Sequence, residues 1–292
     1  MAVVTDSTAD LPAALAAERG ITVVPLTVTL EGQSYLDGVD ITAEDFYRRL
    51  AASGSPATTS QPAPARFAEA YQRLLEDHDE VVSLHISEKL SGTYAAAVQG
   101  AGLTTSRDRV RVVDSETVSM PLGLLALAAS EMAGSSSGAR EVAERLEELR
   151  SHVKVFFVVA TLDYLRRGGR IGAANALLGS VLQVKPVLTI EHGEVTPLER
   201  VRTQERALTR LVELVREQDR DRGLCAIVGH AAAGEAAERI AAEIEPGSDT
   251  LLVQPLGPVV GAHAGPGTVG VGCYPAELFP LGLKMVSAAA AS

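Results

Sequence analysis

The chain of 292 residues has no tryptophan, aromatic residues make up only 4% of it, and no block rich in lysine and arginine occurs. Acidic side chains outnumber basic ones by 37 to 26, which gives a net charge of −11. Nucleic-acid binding depends on neutralising phosphates and on aromatic rings that stack on bases. The composition therefore argues against a nucleic-acid partner, but it excludes no smaller ligand.

Cysteine is almost absent as well. Cys225 and Cys273 are the only two, and each lies in an apolar segment, which predicts buried thiols rather than a disulfide or a reactive thiol. No apolar run reaches the ~18 residues of a membrane span. The first residues, MAVVTDSTAD, lack the charged and apolar regions of a signal peptide. We therefore expect a cytoplasmic protein.

Metal-binding patterns are missing too, because the six histidines show neither H-x-x-x-H nor H-x-x-E-H spacing. We expect no metal and no cofactor. What the chain does have is apolar material: 46% of its residues are hydrophobic, which is enough for a real core.

Apolar, strand-like segments alternate with helical patterns over the first half of the chain. Residues 79–87 and 108–115 have the character of buried strands, and residues 9–20 and 120–134 that of helices. Strands separated by helices predict βαβ units and a parallel sheet. We therefore predict that residues 1–150 form a three-layer α/β/α domain around a parallel sheet.

The second half differs in its pattern. Residues 184–203 alternate around His192-Gly193 as a β-hairpin should, and residues 162–180 are helical with a glycine interruption. We predict that residues 151–292 form a two-layer α/β domain with a mixed sheet. The predicted fold class is thus α/β with two domains and a ligand between them.

In the first half, residues 21–35 are predicted to be one extended segment.

Two glycine motifs fail the test of their context. Gly265 to Gly270 match G-x-G-x-x-G, but a dinucleotide fingerprint must follow a strand and open a helix, whereas residues 268–275 after it have the pattern of a strand. Gly134 to Gly138 match G-x-S-x-G, but a helix precedes this motif where a nucleophile elbow needs a strand.

Two clusters of hydroxyl side chains are more informative. Thr59 and Ser60 come just before a predicted helix, and Ser91, Gly92 and Thr93 stand at the entry to another. Helix entries offer free N–H groups and suit anions, and a glycine lets an anion approach the backbone closely. Plain N-caps are the alternative for either cluster alone. Together the two predict one anion site.

Two segments of the first half resemble each other in sequence. VVTDSTADLP near Val3 resembles VVDSETVSMP near Val112, and each is a strand end followed by Asp-Ser and then a helix. One interpretation is two similar turns with side-chain caps. The other is that both turns border a crevice at the carboxyl ends of parallel strands, where ligands bind in open α/β sheets.

Seven segments together carry a resemblance over roughly residues 3 to 275. They are VTDSTADLP, TTSQP, LSGTY, VVDSETVSMPLG, TLDYLRRGGRIG, LQVKPVLTIEHGEVTPLERVRT and GAHAGPGTVGVG, in this order. The sequence closely resembles the DegV family of bacterial fatty-acid-binding proteins, including the FakB-type subunit of fatty acid kinase. The resemblance implies a fatty acid buried between two α/β domains.

The resemblance also implies roles for particular residues. The fatty-acid carboxylate would be held by Thr59, Ser91 and His263, with Ser60, Gly92 and Thr93 beside them, and Gly265 and Gly267 would shape the loop that presents the histidine. Arg170 and either Arg200 or Arg202 would contact a phosphate or the kinase partner. For Arg170, a helix C-cap or a surface ion pair is the alternative.

On this view the protein is a carrier and not an enzyme by itself. A chain of about 14 to 18 carbons would be held mainly by apolar burial, in a tunnel lined by residues such as 120–130 and 176–184. A separate ATP-dependent kinase subunit would make the acyl phosphate for phospholipid synthesis, and ligand exchange would involve transient membrane contact. Two alternatives stay open: a regulatory module for another small anionic ligand, and an esterase or acyltransferase that uses Ser91 and His263.

Overall fold

The computed structural model describes residues 1–134, 138–178, 185–219, 223–281 and 283, and the backbone of 286–287. The strands are β1 (Ala2–Asp6), β2 (Ile21–Val24), β3 (Thr27–Leu30), β4 (Gln33–Leu36), β5 (Thr58–Ser60), β6 (Val81–His85), β7 (Val110–Asp114), β8 (Lys154–Val158), β9 (Lys185–Glu191), β10 (Glu194–Val201), β11 (Leu224–His230), β12 (Ser248–Pro255), β13 (Val269–Pro275) and β14 (Val286–Ser287). The α-helices are α1 (Ala13–Glu18), α2 (Ala43–Ser53), α3 (Pro64–Asp77), α4 (Thr93–Leu103), α5 (Met120–Ala133), α6 (Ala139–Arg150), α7 (Asp163–Arg167), α8 (Gln204–Asp219), α9 (Gly234–Ile244) and α10 (Pro258–Ala264). None of the described helices is long and apolar enough to cross a membrane.

A parallel sheet organises the first half, as predicted. Its strand order is β2-β1-β6-β7, and all of its pairings are parallel. Helices α3 and α4 cover one face with side chains such as Phe67 and Tyr71, and α5 and α6 cover the other. The three-layer α/β/α arrangement is therefore confirmed.

The extended segment predicted over residues 21–35 is in fact three strands. Strand β2 stays in the parallel sheet, whereas β3 and β4 form a hairpin that pairs with β5 in a separate antiparallel sheet. The chain leaves the first sheet at Pro25, which has no N–H for a ladder, and turns back at Glu31-Gly32, where both residues have positive φ. This small sheet carries Thr59 to the site described below.

A mixed sheet organises the second half, again as predicted. Its order is β10-β9-β8-β13-β11-β12-β14, with parallel pairs only between β11 and β12 and between β12 and β14. The predicted hairpin is confirmed, because β9 and β10 pair across His192 and Gly193, which both have positive φ. Helices α8 and α9 pack on one face of this sheet.

Helix α5 lies between the two large sheets and joins them in one core. It packs against β1 and β6 on one side and against β11 and β13 on the other, and all but three of its fourteen residues are buried. A helix with apolar residues on all sides is the expected solution for such a position. Gly270 and Gly272 of β13 make room for it, since a Cβ at either would lie 2.8 Å from an atom of Met120.

Two predicted helices are shorter than the sequence pattern indicated. In place of a helix over residues 9–20, a 3-10 turn precedes α1, because Asp10 adopts a left-handed conformation and Pro12 caps the helix. The helical segment with a glycine interruption that was predicted over 162–180 consists of α7, which ends at Arg167, and a 3-10 helix at Gly172–Leu177, and the last two residues of that prediction lie outside the described part of the chain. The domain boundary at residue 150 stays a prediction.

Candidate functional site

An apolar cavity lies where the two large sheets approach each other. The space between its atoms amounts to about 820 Å³, part of which is open to solvent. Both halves of the chain supply its apolar walls, which are formed by Leu26, Ile86, Leu90, Val118, Met120, Val155, Phe157, Leu165, Ile190, Val195, Leu256, Val259, Val260 and Ala264.

The cavity lies at the carboxyl ends of the parallel strands. Thr8 follows β1, Ile86 follows β6, and Val118 and Ser119 follow β7, and all four line it. This is the position of ligands in open α/β sheets. The two similar turns, after β1 and after β7, therefore border one cavity. The turn after β1 also has a side-chain cap, because Asp6 Oδ1 accepts a hydrogen bond of 3.0 Å from the Thr8 N–H.

Thr59 and His263 meet at the polar end of the cavity, although 204 residues separate them in sequence. The Thr59 Oγ1 and His263 Nε2 atoms are 2.8 Å apart and share a hydrogen bond. Strand β5 presents Thr59, and the last turn of α10 presents His263. The sequence pattern placed Thr59 at a helix entry, but α3 begins only at Pro64, so the small sheet and not a helix end positions it.

His263 is a neutral imidazole at physiological pH. Burial, reinforced by the nearby positive charge of Arg170, lowers the pKa of His263 to about 4. Its Nδ1 atom is buried without a hydrogen-bond partner and lies against Gly168, where a Cβ would come within 2.1 Å of it. His263 therefore offers its Nε2 side, through Thr59, to the cavity.

Ser91 and Arg170 complete the polar end. The Ser91 Oγ lies 2.8 Å from the Thr93 Oγ1, next to Gly92, which caps α4. Arg170 Nε donates to the carbonyl of Leu90 at 2.9 Å, which holds the guanidinium beside Ser91. Because two hydroxyls, a neutral imidazole and a guanidinium converge here, this end suits an anionic group.

The glycines after α10 set the path of the histidine segment. Gly265 and Gly267 have φ angles of 78° and 83°, so a side chain at either would be strained. Gly265 also packs against Tyr164, whose ring would lie 2.3 Å from a Cβ. The sequence predicted a glycine loop that presents His263. In the structure His263 lies on the short helix α10, and the glycines form the turn that follows this helix.

The family model for DegV, a family of uncharacterised proteins, matches residues 1–276 of the chain. The chain belongs to the DegV family. A DegV domain-containing protein of Streptomyces coelicolor is 44% identical over 275 residues, which cover 93% of this chain and 97% of the relative. Another, from Deinococcus radiodurans, is 41% identical over 278 residues, with 94% and 98% covered.

Solved structures of DegV proteins have the same fold. A DegV family protein of Thermus thermophilus, described by its fatty acid binding, matches with a TM-score of 0.88 and 38% identity, covering 94% of this chain and 99% of its own. DegV of Bacillus subtilis, described as a fatty acid binding protein, matches with a TM-score of 0.86 and 32% identity, covering 94% and 98%. These descriptions concern the related proteins.

Three of the predicted site residues do not line the cavity. Ser60 is exposed, because alternation along β5 turns it to the face opposite Thr59. Arg200, at the end of β10, and Arg202, just beyond it, are exposed and do not line the cavity. Thr93 is fully buried and reaches the site only through its hydrogen bond to Ser91.

The apolar lining also differs from the predicted tunnel. Of residues 120–130, only Met120 lines the cavity, because the other apolar side chains of α5 pack in the core between the two large sheets. Of residues 176–184, Leu177 is buried, and 179–184 lie outside the described residues. The lining residues around Ile190 and Val195 of the hairpin were missed, although the alternation of β9 and β10 could have indicated them.

The arrangement does not suit hydrolysis by Ser91 and His263. Nε2 of His263 pairs with Thr59 instead of Ser91, and its Nδ1 has no carboxylate to orient it. A Ser-His-Asp chain does exist elsewhere, with Ser83 Oγ 2.7 Å from His85 Nε2 and His85 Nδ1 2.9 Å from Asp6 Oδ2. All three side chains are fully buried and none of them lines the cavity, so we interpret this hydrogen-bonded series as part of the core.

A metal is equally unsupported within the described residues, where no group of three or more His, Cys, Asp or Glu side chains is placed to hold one. The residues that can hold a ligand are those of the cavity, with a polar group at one end and an apolar body along the rest.

Proposed function

We propose that this protein is a cytoplasmic carrier that binds a long-chain fatty acid in the cavity. Its carboxylate would lie at Thr59, Ser91 and His263, and its tail along the apolar walls. The observation that carries the proposal is the cavity itself, whose walls are mostly apolar and in which hydroxyls, an imidazole and a guanidinium come together around His263. The fatty acid binding described for the Thermus thermophilus and Bacillus subtilis relatives supports the same ligand.

The apolar walls and the polar end of the cavity would contribute differently to binding. Each buried methylene contributes ~0.8 kcal/mol, so a tail of about 14 to 18 carbons supplies most of the affinity. The polar end supplies orientation, because hydrogen bonds to a charged group contribute about 1.5–3 kcal/mol each and are lost if the ligand reverses. Arg170 offsets the negative charge of the head group.

We infer further that the protein presents the bound carboxylate to a separate ATP-dependent kinase subunit, as a FakB-type carrier would. Support comes from the edge of the mixed sheet at which β8 and β10 end. Arg200 lies at this edge, and so does Gly267, where a Cβ would come within 3.0 Å of Ala160 just after β8. Arg200 and Arg202 are exposed, so that both guanidinium groups would be open to a phosphate-bearing partner.

Mass spectrometry of lipid extracted from the purified protein tests the binding proposal. We expect a fatty acid of about 14 to 18 carbons at close to one per chain. Loss of that lipid from a Leu90→Arg variant, which would place a charge in the apolar wall, with retention in Leu103→Arg, whose site is 62% exposed, is the expected contrast. A lipid-free protein that takes up no added stearic acid would refute the proposal.

A further inference from the structure

Two aspartates from the start of the chain contact the segment that carries His263. The Asp10 Oδ1 accepts a hydrogen bond of 2.9 Å from the N–H of Gly257, the residue before α10. Asp37 is 4% exposed and its Oδ1 lies against Gly257, while the nearby Val259 N–H and Ser7 hydroxyl favour the charged form of its carboxyl group. The start of α10 is therefore hydrogen-bonded to Asp10 and lies against Asp37, and both aspartates belong to the N-terminal half.

Gly257 shows how close this contact is. A Cβ at Gly257 would lie 2.8 Å from Asp10 Oδ1 and 3.2 Å from Asp37 Oδ1, although the backbone there has an ordinary φ of −64°. Glycine is needed because of the two carboxyl groups, and not because of the backbone. Tyr47 adds a further contact, since its hydroxyl donates to the Leu256 carbonyl at 2.9 Å.

The carboxyl pair has little compensating charge. Among the described residues, no lysine or arginine forms an ion pair with Asp10 or Asp37, and Asp37 Oδ2 has no hydrogen-bond partner. The titratable groups that face the pair are the Asp6 carboxyl of β1 and the Tyr47 phenol of α2. Burial raises the pKa of Asp10 well above its ordinary value and that of Asp37 to about 7.

We propose that Asp10 and Asp37 are positioning residues for the head-group site: their carboxyl groups hold the start of α10 where His263 reaches Thr59. Neither residue is needed to touch a ligand, because each acts through the backbone of Gly257 or Val259. Asp10 is also tied to the cavity wall, since its Oδ2 accepts a 2.5 Å hydrogen bond from the Ser119 hydroxyl. The proposal rests on the proposed fatty-acid site.

A pH dependence follows from this arrangement. As the pH rises above about 7, the pKa of Asp37, its carboxyl group becomes charged in an apolar environment beside Asp10, and the repulsion between the two carboxyl groups loosens the start of α10. His263, with a pKa of about 4, stays neutral over the same range. Any change in the position of its ring between neutral and alkaline pH therefore comes from its surroundings.

The test compares isosteric and truncating variants of both aspartates. Asp10→Asn and Asp37→Asn keep an acceptor oxygen but cannot ionise, while Asp10→Ala and Asp37→Ala remove it. Asp108→Asn, at a side chain that is 95% exposed, is the matched control. Two quantities are measured at about pH 6 and about pH 9: the ¹⁵N shifts of the His263 ring in the ligand-free protein and the affinity for stearic acid. Circular dichroism confirms that each variant is folded.

We expect Asp37→Asn to keep the affinity of the wild type at the lower pH and to lose less of it at the higher pH. The alanine variants should shift the His263 signals at both pH values and bind stearic acid roughly 3- to 10-fold more weakly. Folded alanine variants with unchanged His263 signals would overturn the inference. If the wild type binds no stearic acid, the proposed function fails, but the ring signals still decide whether the aspartates position His263.

Discussion

Replacement of Gly168 by alanine is the sharpest perturbation of the head-group site. Gly168 has φ −73° and ψ −9°, so alanine suits its backbone. A Cβ there would lie 2.1 Å from His263 Nδ1, whereas ordinary contact begins at 3.4 Å. The ring cannot retreat, because its opposite nitrogen is already 2.8 Å from Thr59 Oγ1. It must therefore rotate away, and the hydrogen bond to Thr59 is lost.

The magnitude follows from that single bond. A net hydrogen bond contributes about 0.5–1.5 kcal/mol, which corresponds to an affinity for stearic acid about 2- to 13-fold weaker in Gly168→Ala. Titration calorimetry measures the affinity, and the ¹⁵N shifts of His263 report the rotation. Gly102→Ala is the control, since that position in α4 has nothing within 4 Å, and it should leave the affinity unchanged.

A double-mutant cycle separates this cause from a general loss of stability. In a His263→Ala background the clash is gone, so Gly168→Ala should have no further effect on stearic acid binding. Wild-type affinity in Gly168→Ala, or an equal loss in both backgrounds, would show that Gly168 does not act through His263.

Further predictions concern the same site and the core. Ser91→Ala should weaken binding of stearic acid by about 1.5–3 kcal/mol, because it removes a donor to a charged group; calorimetry that finds an unchanged affinity would exclude Ser91 as a ligand. The ring of His263 should titrate near pH 4 by NMR in the ligand-free protein, and a value above 6 would contradict its burial. Because folding raises the pKa of Asp37 from 3.8 to about 7, its contribution to stability is present below pH 3.8 and is lost as the pH rises through 7. Asp37→Asn should therefore gain stability over the wild type at pH 8, by at most about 4 kcal/mol, and denaturant unfolding at pH 4 should show no such gain. Leu124→Ala, which truncates a fully buried side chain of α5, should cost about 2–5 kcal/mol of unfolding free energy, whereas Leu103→Ala, at a largely exposed side chain, should change it by less than about 0.5 kcal/mol; equal losses would contradict the packing between the sheets.

The sequence allowed the local parts of the fold to be predicted. The hairpin at His192-Gly193 was predictable because the turn residues and the alternation on both sides agree. The strand after Gly267 was predictable for the same reason, and it excluded a dinucleotide loop. In both cases neighbouring residues decide the structure.

The small antiparallel sheet was not predictable in this way. Residues 21–35 have continuous strand character, so the pattern does not show that β2 and β3 belong to different sheets. The pairing of β5 with β3, which fixes Thr59, joins segments about thirty residues apart. Such a pairing depends on tertiary packing that local propensity does not encode.

The placement of His263 illustrates why a candidate site can be predicted more readily than its geometry. The residue was predictable from the resemblance, but the short helix α10 has too few residues to be stable alone. It is held instead by Asp10, Asp37 and Tyr47 on one side and by α7 with Gly168 on the other. These contacts come from separate parts of the chain, so that a change at Asp10 or Asp37 and a change at Gly168 should each move the imidazole of His263. If both changes shift the ¹⁵N signals of His263 and weaken binding of stearic acid, both act through this residue.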